Sequence, residues 1–314
     1  MHLQRPSMLP NELLETVCNC LDPHDLTVVA RAAHHLYPPA LRCLYRFLSL
    51  TDASAHSVVR TLANRPDIAR HVRSFAVAGT PLCPQQLAKA LVHMSALVAL
   101  DLFVDEIEGS VLPISPNSHP QLQHFGASMA VDEHVGAFLH NAAFLHTLHL
   151  TSEFAPIASL DTSSFPRLTT LTASASAVAA LVPGRPVETV FVTSGDFSED
   201  MVHALAQSTA RVAVLSVTTD SKPTLLLASL GQQLPQLVYL QINSTHNLAA
   251  PPTTLFHDIA EALALFPSLQ SFELSGMCWP SQVDKHDEKR VWQSQPLQLD
   301  FEPSEEVDEF YFLW

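Results

Sequence analysis

Metal binding is the first chemistry the residue types invite, because histidine occurs 17 times among 314 residues. The spacings do not follow through. His146 and His149 stand three apart in a stretch with a strand-like apolar pattern, which sends them to opposite faces. His34 and His35 are adjacent and do not share a helix face. Cys18 and Cys20 form one Cys-x-Cys with no second pair to complete a tetrahedral zinc set. The chain has no G-x-G-x-x-G, no Walker A loop, no G-x-S-x-G elbow and no H-E-x-x-H. Ser, His and Asp are all abundant, so their coexistence carries no weight. The expectation is a non-enzyme with no catalytic residue, no metal and no cofactor.

Charge and composition narrow the class further. The formal net charge is -15, from 31 acidic and 16 basic residues, which opposes nucleic-acid binding. The imbalance is uneven: residues 1–75 carry eight Arg against six acids, and the remainder is strongly acidic. Apolar residues make up 47%, enough for a large core, and charged residues only 15%. Five cysteines (Cys18, Cys20, Cys43, Cys83 and Cys278) show no disulfide-framework spacing, and the first residues lack an apolar signal region. These features predict an intracellular protein, cytoplasmic or nuclear. No run of 18 apolar residues is present, so no membrane span is expected; residues 223–257 lack Asp, Glu, Lys and Arg but are broken by Gln, Asn, Thr and Pro.

The elements that would position any binding residue are set by internal periodicity. A pattern apolar-x-x-apolar-x-apolar recurs nine times. It runs through Val72/Phe75/Val77, Leu97/Leu100/Leu102, Leu122/Phe125/Ala127, Leu145/Leu148/Leu150 and Leu168/Leu171/Ala173. It continues through Val187/Val190/Val192, Val212/Leu215/Val217, Leu237/Leu240/Ile242 and Leu269/Phe272/Leu274. Successive first positions differ by 25, 25, 23, 23, 19, 25, 25 and 32 residues (97−72 through 269−237). The last two apolar positions of each unit alternate with polar ones, the period of a half-buried strand. Amphipathic stretches lie between: 84–94, 132–140, 198–207 with Ser198 as candidate N-cap, and 254–265. Residues 173–186 leave room for only a brief helix or loop, and Pro113, Pro116 and Pro120 make one connection irregular. A doubly wound α/β enzyme also alternates strand and helix. The regular period, the number of units and only eight glycines oppose it.

The N-terminus is organised differently. Leu9-Pro10-Asn11-Glu12-Leu13-Leu14 opens a helix continued by Val17, Cys18 and Leu21. Asp22-Pro23 breaks it and starts a second, striped by Leu26, Val29, Ala30 and Ala33. A third is expected after Pro38-Pro39, over residues 40–46. Three helices in so short a span make a very small core, marginal unless something covers it.

Two resemblances follow. Leu9-Pro-x-Glu-Leu-Leu, Leu21-Asp-Pro-x-Asp-Leu26 and Ala40-Leu41-x-x-Leu44-Tyr45-Arg46 together resemble an F-box, over residues 8–46. Where that family often places Trp before the third helix, this chain has His34-His35-Leu36-Tyr37-Pro38-Pro39. The repeats are similar to the degenerate leucine-rich repeats of F-box proteins, over residues 68–276, mostly without the Asn or Cys that often follows the strand. The resemblance implies an α/β chain in three parts: a three-helix F-box at 8–50, a leucine-rich-repeat solenoid at 51–276 with parallel strands on the concave face, and a C-terminal cap or tail at 277–314. It implies a substrate-recognition subunit of a cullin–RING ubiquitin ligase, docking a Skp-type adaptor through Leu9, Pro10, Leu13, Leu14, Val17, Leu21 and Leu26. A repeat scaffold or inhibitor acting without ligase assembly is the alternative.

A target would lie on the concave face, where residues flanking the last two apolar positions of each strand point outward. Most of these are Ser and Thr, ordinary solvated strand residues. Asp101, Phe103, His149, Phe191, Tyr239, Gln241 and Glu273 are the candidates, with the three aromatics as anchors. Residues 76–276 carry 16 acids against five bases, which favours a basic target segment. Residues 277–314 hold nine acids, three bases and seven aromatics. A final strand within 296–301, with Phe301, and Trp279 over the open end of the core are expected there, with 284–290 a solvated loop.

Overall fold

In the computed structural model, residues 9–51, 54–79, 81–104, 107–115, 119–152, 160, 164–245, 253–283, 290–293 and 297–298 are described. The chain opens with α1 (Asn11–Cys18), α2 (Pro23–Ala32) and α3 (Tyr37–Leu44). Strand β1 (Phe47–Leu50) follows, then α4 (Ala55–Asn64) and α5 (Pro66–Ala69). From there strand and helix alternate: β2 (Ser74–Ala78), α6 (Pro84–His93), β3 (Ala99–Phe103), a 3₁₀ turn at Gly109–Val111, β4 (His124–Ala127), α7 (Glu133–His140) and β5 (Thr147–Leu150). The series continues with β6 (Thr170–Ala173), α8 (Ala175–Leu181), β7 (Thr189–Val192), α9 (Glu199–Ala206), β8 (Val214–Thr219), α10 (Pro223–Gln233), β9 (Tyr239–Ser244), α11 (Thr253–Leu263) and β10 (Ser271–Leu274). Short strands β11 (Met277–Cys278), β12 (Ser281–Val283), β13 (Arg290–Trp292) and β14 (Leu297–Gln298) close it.

Strands β1 to β10 form one parallel sheet in sequence order, each paired with its predecessor. All 27 apolar positions of the nine repeats are buried. The reason is the register: Phe75, Leu100, Phe125, Leu148, Leu171 and Val190 are successive Cα partners and form one continuous row. Each such side chain removed from water contributes roughly 1.5–3 kcal/mol, and the stacked neighbours complete the burial that one unit lacks. Packed helices need about 8–10 Å between axes and paired strands only about 4.8 Å. The strand side is therefore the inner, concave side. This is the architecture of a leucine-rich-repeat solenoid.

Local chemistry explains the helix starts. The Asp22 carboxylate accepts from Asp25 N–H at 2.7 Å, with Pro23 at the first helical position. Asp132 accepts from Val135 N–H at 2.8 Å, and Ser174 Oγ from Ala177 N–H at 3.4 Å. Ser198 stands in the cap position of α9 but makes no capping bond; Glu199 and Asp200 complement the helix dipole instead. Helix α3 begins at Tyr37, so Pro38 and Pro39 lie inside its first turn, where their missing N–H groups have no helical partner to lose.

Strand β1 is the main departure from the sequence reading. Tyr45, Leu48 and Leu50 repeat the apolar pattern once more, 27 residues before Val72 (72−45), and Phe47 pairs with Ser74. The sheet thus starts inside the span read as the helical module. Helix α3 joins the two parts: Cys43 and Leu44 pack on the small core of Cys18, Leu26 and Ala40, while Leu41 and Tyr45 pack on the large one.

At the other end the parallel register stops. Strand β11 pairs antiparallel with β10, and β14 antiparallel with β11. Gly276 and Ser275, with φ of 80° and 49°, make the tight reversal between β10 and β11. Trp279 lies buried against Phe272 and Phe256, ring centroids 5.4 and 6.0 Å away. A terminal strand falls at 297–298, within the segment where one was expected; Phe301 and residues 284–289 lie outside the described residues. Arg290 begins β13, which pairs with β12 and brings Trp292 into the core.

Candidate functional site

Two surfaces gather the sequence-derived candidates. On the inner face the register places Asp101, Gly126, His149, Thr172, Phe191, Ser216, Gln241 and Glu273 in a single row across β3 to β10. Of the seven candidates, five therefore share one line; Tyr239 stands in the adjacent row and Phe103 in the row on the other side.

One end of the row is a small cluster. The carboxylate of Asp101 accepts a hydrogen bond from His124 Nε2 at 2.8 Å. The Phe103 ring packs on His149, centroids 4.9 Å apart and planes tilted by 55°. Both Asp101 and Phe103 lean over Gly126, where a Cβ would collide with Asp101 Oδ1 and come within 2.8 Å of Phe103 Cζ. Burial pushes the His149 imidazole below its ordinary pKa, and Asp101 opposes that shift. Sequence reasoning missed Gly126; the available signal was a glycine at an outward strand position, a place where other groups approach closely.

The other end is a polar chain. Ser216 Oγ donates to Gln241 Oε1 at 2.8 Å, and Gln241 Nε2 donates to Glu273 Oε1 at 3.2 Å. Partial burial and the Glu273 charge push the Tyr239 hydroxyl up in pKa. Between the ends Phe191 is 37% exposed. The three aromatics do not form one patch. Phe103 is four strand positions from Phe191, and Tyr239 two further on, about 19 and 10 Å respectively.

The second surface belongs to the N-terminal helices. Leu9, Leu13 and Val17 are 57%, 51% and 56% exposed; Leu13 and Val17, four apart, share one face of α1, and Leu9 precedes the helix across its cap residue Pro10. Pro10 is exposed beside them, whereas Leu14 and Leu26 are buried and Leu21 is half-buried. The seven residues that the F-box resemblance turns toward an adaptor thus divide, with four outward and three supporting them. Val28 on α2 adds a further exposed apolar side chain. Burial raises the pKa of the Cys18 and Cys43 thiols, so both behave as packing groups.

Other chemistry is weak among the described residues. Asp22, His24 and Asp25 bring ligand atoms within 4.8 Å of one another, but all three are exposed and Asp22 is already occupied as a helix cap. A cleft of about 340 Å³ beside α4 and α6 is lined by His56, Ser57, Val59, Arg60, Cys83 and Gln86, without a hydrogen-bonded nucleophile–base pair. No helix of the described residues is long and apolar enough to cross a membrane.

No protein-family model and no curated protein matches the chain. Solved structures do match. One is internalin C2 from Listeria monocytogenes, 12% identical, with a TM-score of 0.41, covering 71% of this chain and 93% of that one.

Proposed function

We propose that the chain is a non-catalytic substrate-recognition subunit of a cullin–RING ubiquitin ligase: α1 to α3 dock a Skp-type adaptor and the inner face of the solenoid holds a target protein. The observation that carries this reading is the exposure of Leu9, Leu13 and Val17 at the start of the chain's first helix. A small module that hides Leu14 and Leu26 while presenting Leu9, Leu13 and Val17 to water is built to be covered. The resemblance of the motif pieces at residues 8–46 to an F-box supports a Skp-type adaptor as the partner that covers it. The described solenoid offers an extended face rather than a catalytic constellation, which fits a subunit that raises the local concentration of its target.

The test is capture of the full-length chain by a purified Skp-type adaptor. Leu13 is half out of the fold, so Leu13→Asp keeps the melting midpoint and loses adaptor binding by at least about tenfold, the worth of one buried Leu. Capture of Leu13→Asp at the wild-type level, or failure of the wild type to bind, removes the ligase reading and leaves a repeat scaffold or inhibitor acting through the inner face alone.

A further inference from the structure

We infer that the inner face holds an extended basic segment of the target, about ten residues long, with one cation seated on Asp101 beside Phe103 and another on Glu273 beside Tyr239. The inference rests on the receptor reading and gives its target a chemistry.

Charge is the first support. Among the described strand residues that point inward from the sheet, Asp101 and Glu273 are the acidic ones, and none is Lys or Arg. Each carboxylate is half-buried and held by one side-chain bond, Asp101 by an imidazole and Glu273 by an amide. Neither has a guanidinium or ammonium partner within the described residues. A half-buried carboxylate has lost part of its hydration, and a cation brought by a partner restores what the fold does not supply.

Each carboxylate also has an aromatic ring at its side. Phe103 shares with Asp101 the space over Gly126, and Tyr239, the register partner of Ser271, is the diagonal neighbour of Glu273 on the same face of the adjacent strand. A ring beside a carboxylate suits Lys and Arg, whose stems pack on apolar surface while their charged ends reach the acid. Gly126 is needed here, because a side chain at that position would displace both members of the first seat.

Spacing sets the length of the occupant. Asp101 is on β3 and Glu273 on β10, seven strand steps apart in the same row. At about 4.8 Å per step the two acids are ~34 Å apart, and an extended chain at roughly 3.3–3.6 Å per residue covers that with about ten residues. Between them Thr172 and Ser216 present hydroxyls for a peptide backbone, and Phe191 offers a central apolar contact.

The test is panning of a display library of random 16-residue peptides on the full-length chain. Enriched peptides carry two Lys or Arg sites separated by about eight to ten residues. Affinity of a synthetic copy falls at least about tenfold in Asp101→Asn and in Glu273→Gln, and falls again when the spacer is shortened by about four residues. Both substitutions keep side-chain shape, and an unchanged circular dichroism spectrum accompanies the loss. Enrichment without a basic bias, or wild-type affinity in both variants, overturns the inference. If Phe191→Ala still abolishes binding of those peptides, the receptor reading stands with a different target chemistry. A library that yields no peptide overturns the inference and the assignment of the inner face together.

Discussion

The guanidinium of Arg185 donates to the carbonyl oxygen of Leu181 at 2.9 Å, inside the core and with 1% of its surface exposed. It donates also to Ser164 O at 2.8 Å and packs 5.6 Å from the centre of the Phe165 ring. This arrangement sits in the shortest repeat, the 19-residue interval between Leu168 and Val187, where α8 has only seven residues. The cation occupies the negative end of α8 and satisfies carbonyls that a longer helix would have satisfied itself.

Replacing Arg185 with Met keeps the bulk and removes every donor. Several buried carbonyls then lose their partner, and stability falls by about 2–4 kcal/mol. Urea unfolding followed by circular dichroism reads this as a lower midpoint with an unchanged slope. A midpoint within error of wild type means that the carbonyls find other donors and that Arg185 does not hold the short repeat together.

His119 makes the solenoid acid-sensitive. Burial pushes its pKa down to about 4, the Met94 backbone offsetting only part of that shift. The ring packs edge-on against Phe138, centroids 5.9 Å apart. The unfolded chain takes up a proton near pH 6.5 and the folded chain does not until about pH 4. The stability this neutral imidazole confers is complete above the unfolded value and is lost as pH falls toward the folded one. Between pH 7 and pH 5 this site removes about 2 kcal/mol. His71 and His149, also shifted down by burial, add in the same direction. His119→Leu flattens the difference between urea midpoints at the two pH values; an equally steep loss in that variant assigns the acid sensitivity to other groups.

Trp279 closes the far end of the core. Trp279→Ala leaves a cavity against Phe272 and Phe256 and lowers stability by about 3–5 kcal/mol. Its indole Nε1 is buried without a hydrogen-bond partner among the described residues, so Trp279→Phe forfeits bulk but no bond seen there and falls between Ala and wild type. Thermal melting of the three proteins orders them Ala, Phe, wild type. Coincident curves would make the end of the sheet self-sufficient.

Much of this architecture was legible in order along the chain. The recurrence of apolar-x-x-apolar-x-apolar is a statement about burial, and parallel stacking of like units is the packing that buries every such triplet at once, so strand positions and their inward parity follow from the sequence. So does the small N-terminal module, through Leu-Pro and Asp-Pro at its helix starts. Strand β1 escaped because its one copy of the pattern, Tyr45, Leu48 and Leu50, lies where the helical motif ends, and a short motif does not say which of two adjoining cores will claim it. Which of Leu9, Leu13, Leu14 and Leu26 face water was also undecided, because an apolar stripe marks a covered face without saying whether the chain itself or a partner covers it. The meeting of Asp101 and Phe103 over Gly126, with His124 on the carboxylate and His149 on the ring, and of Arg185 with Ser164, belongs to the tertiary structure alone. Those side chains come from different repeats, 21 to 25 residues apart for most of these contacts and 46 (149−103) for Phe103 and His149, and only the register of the stacked units decides which of them touch.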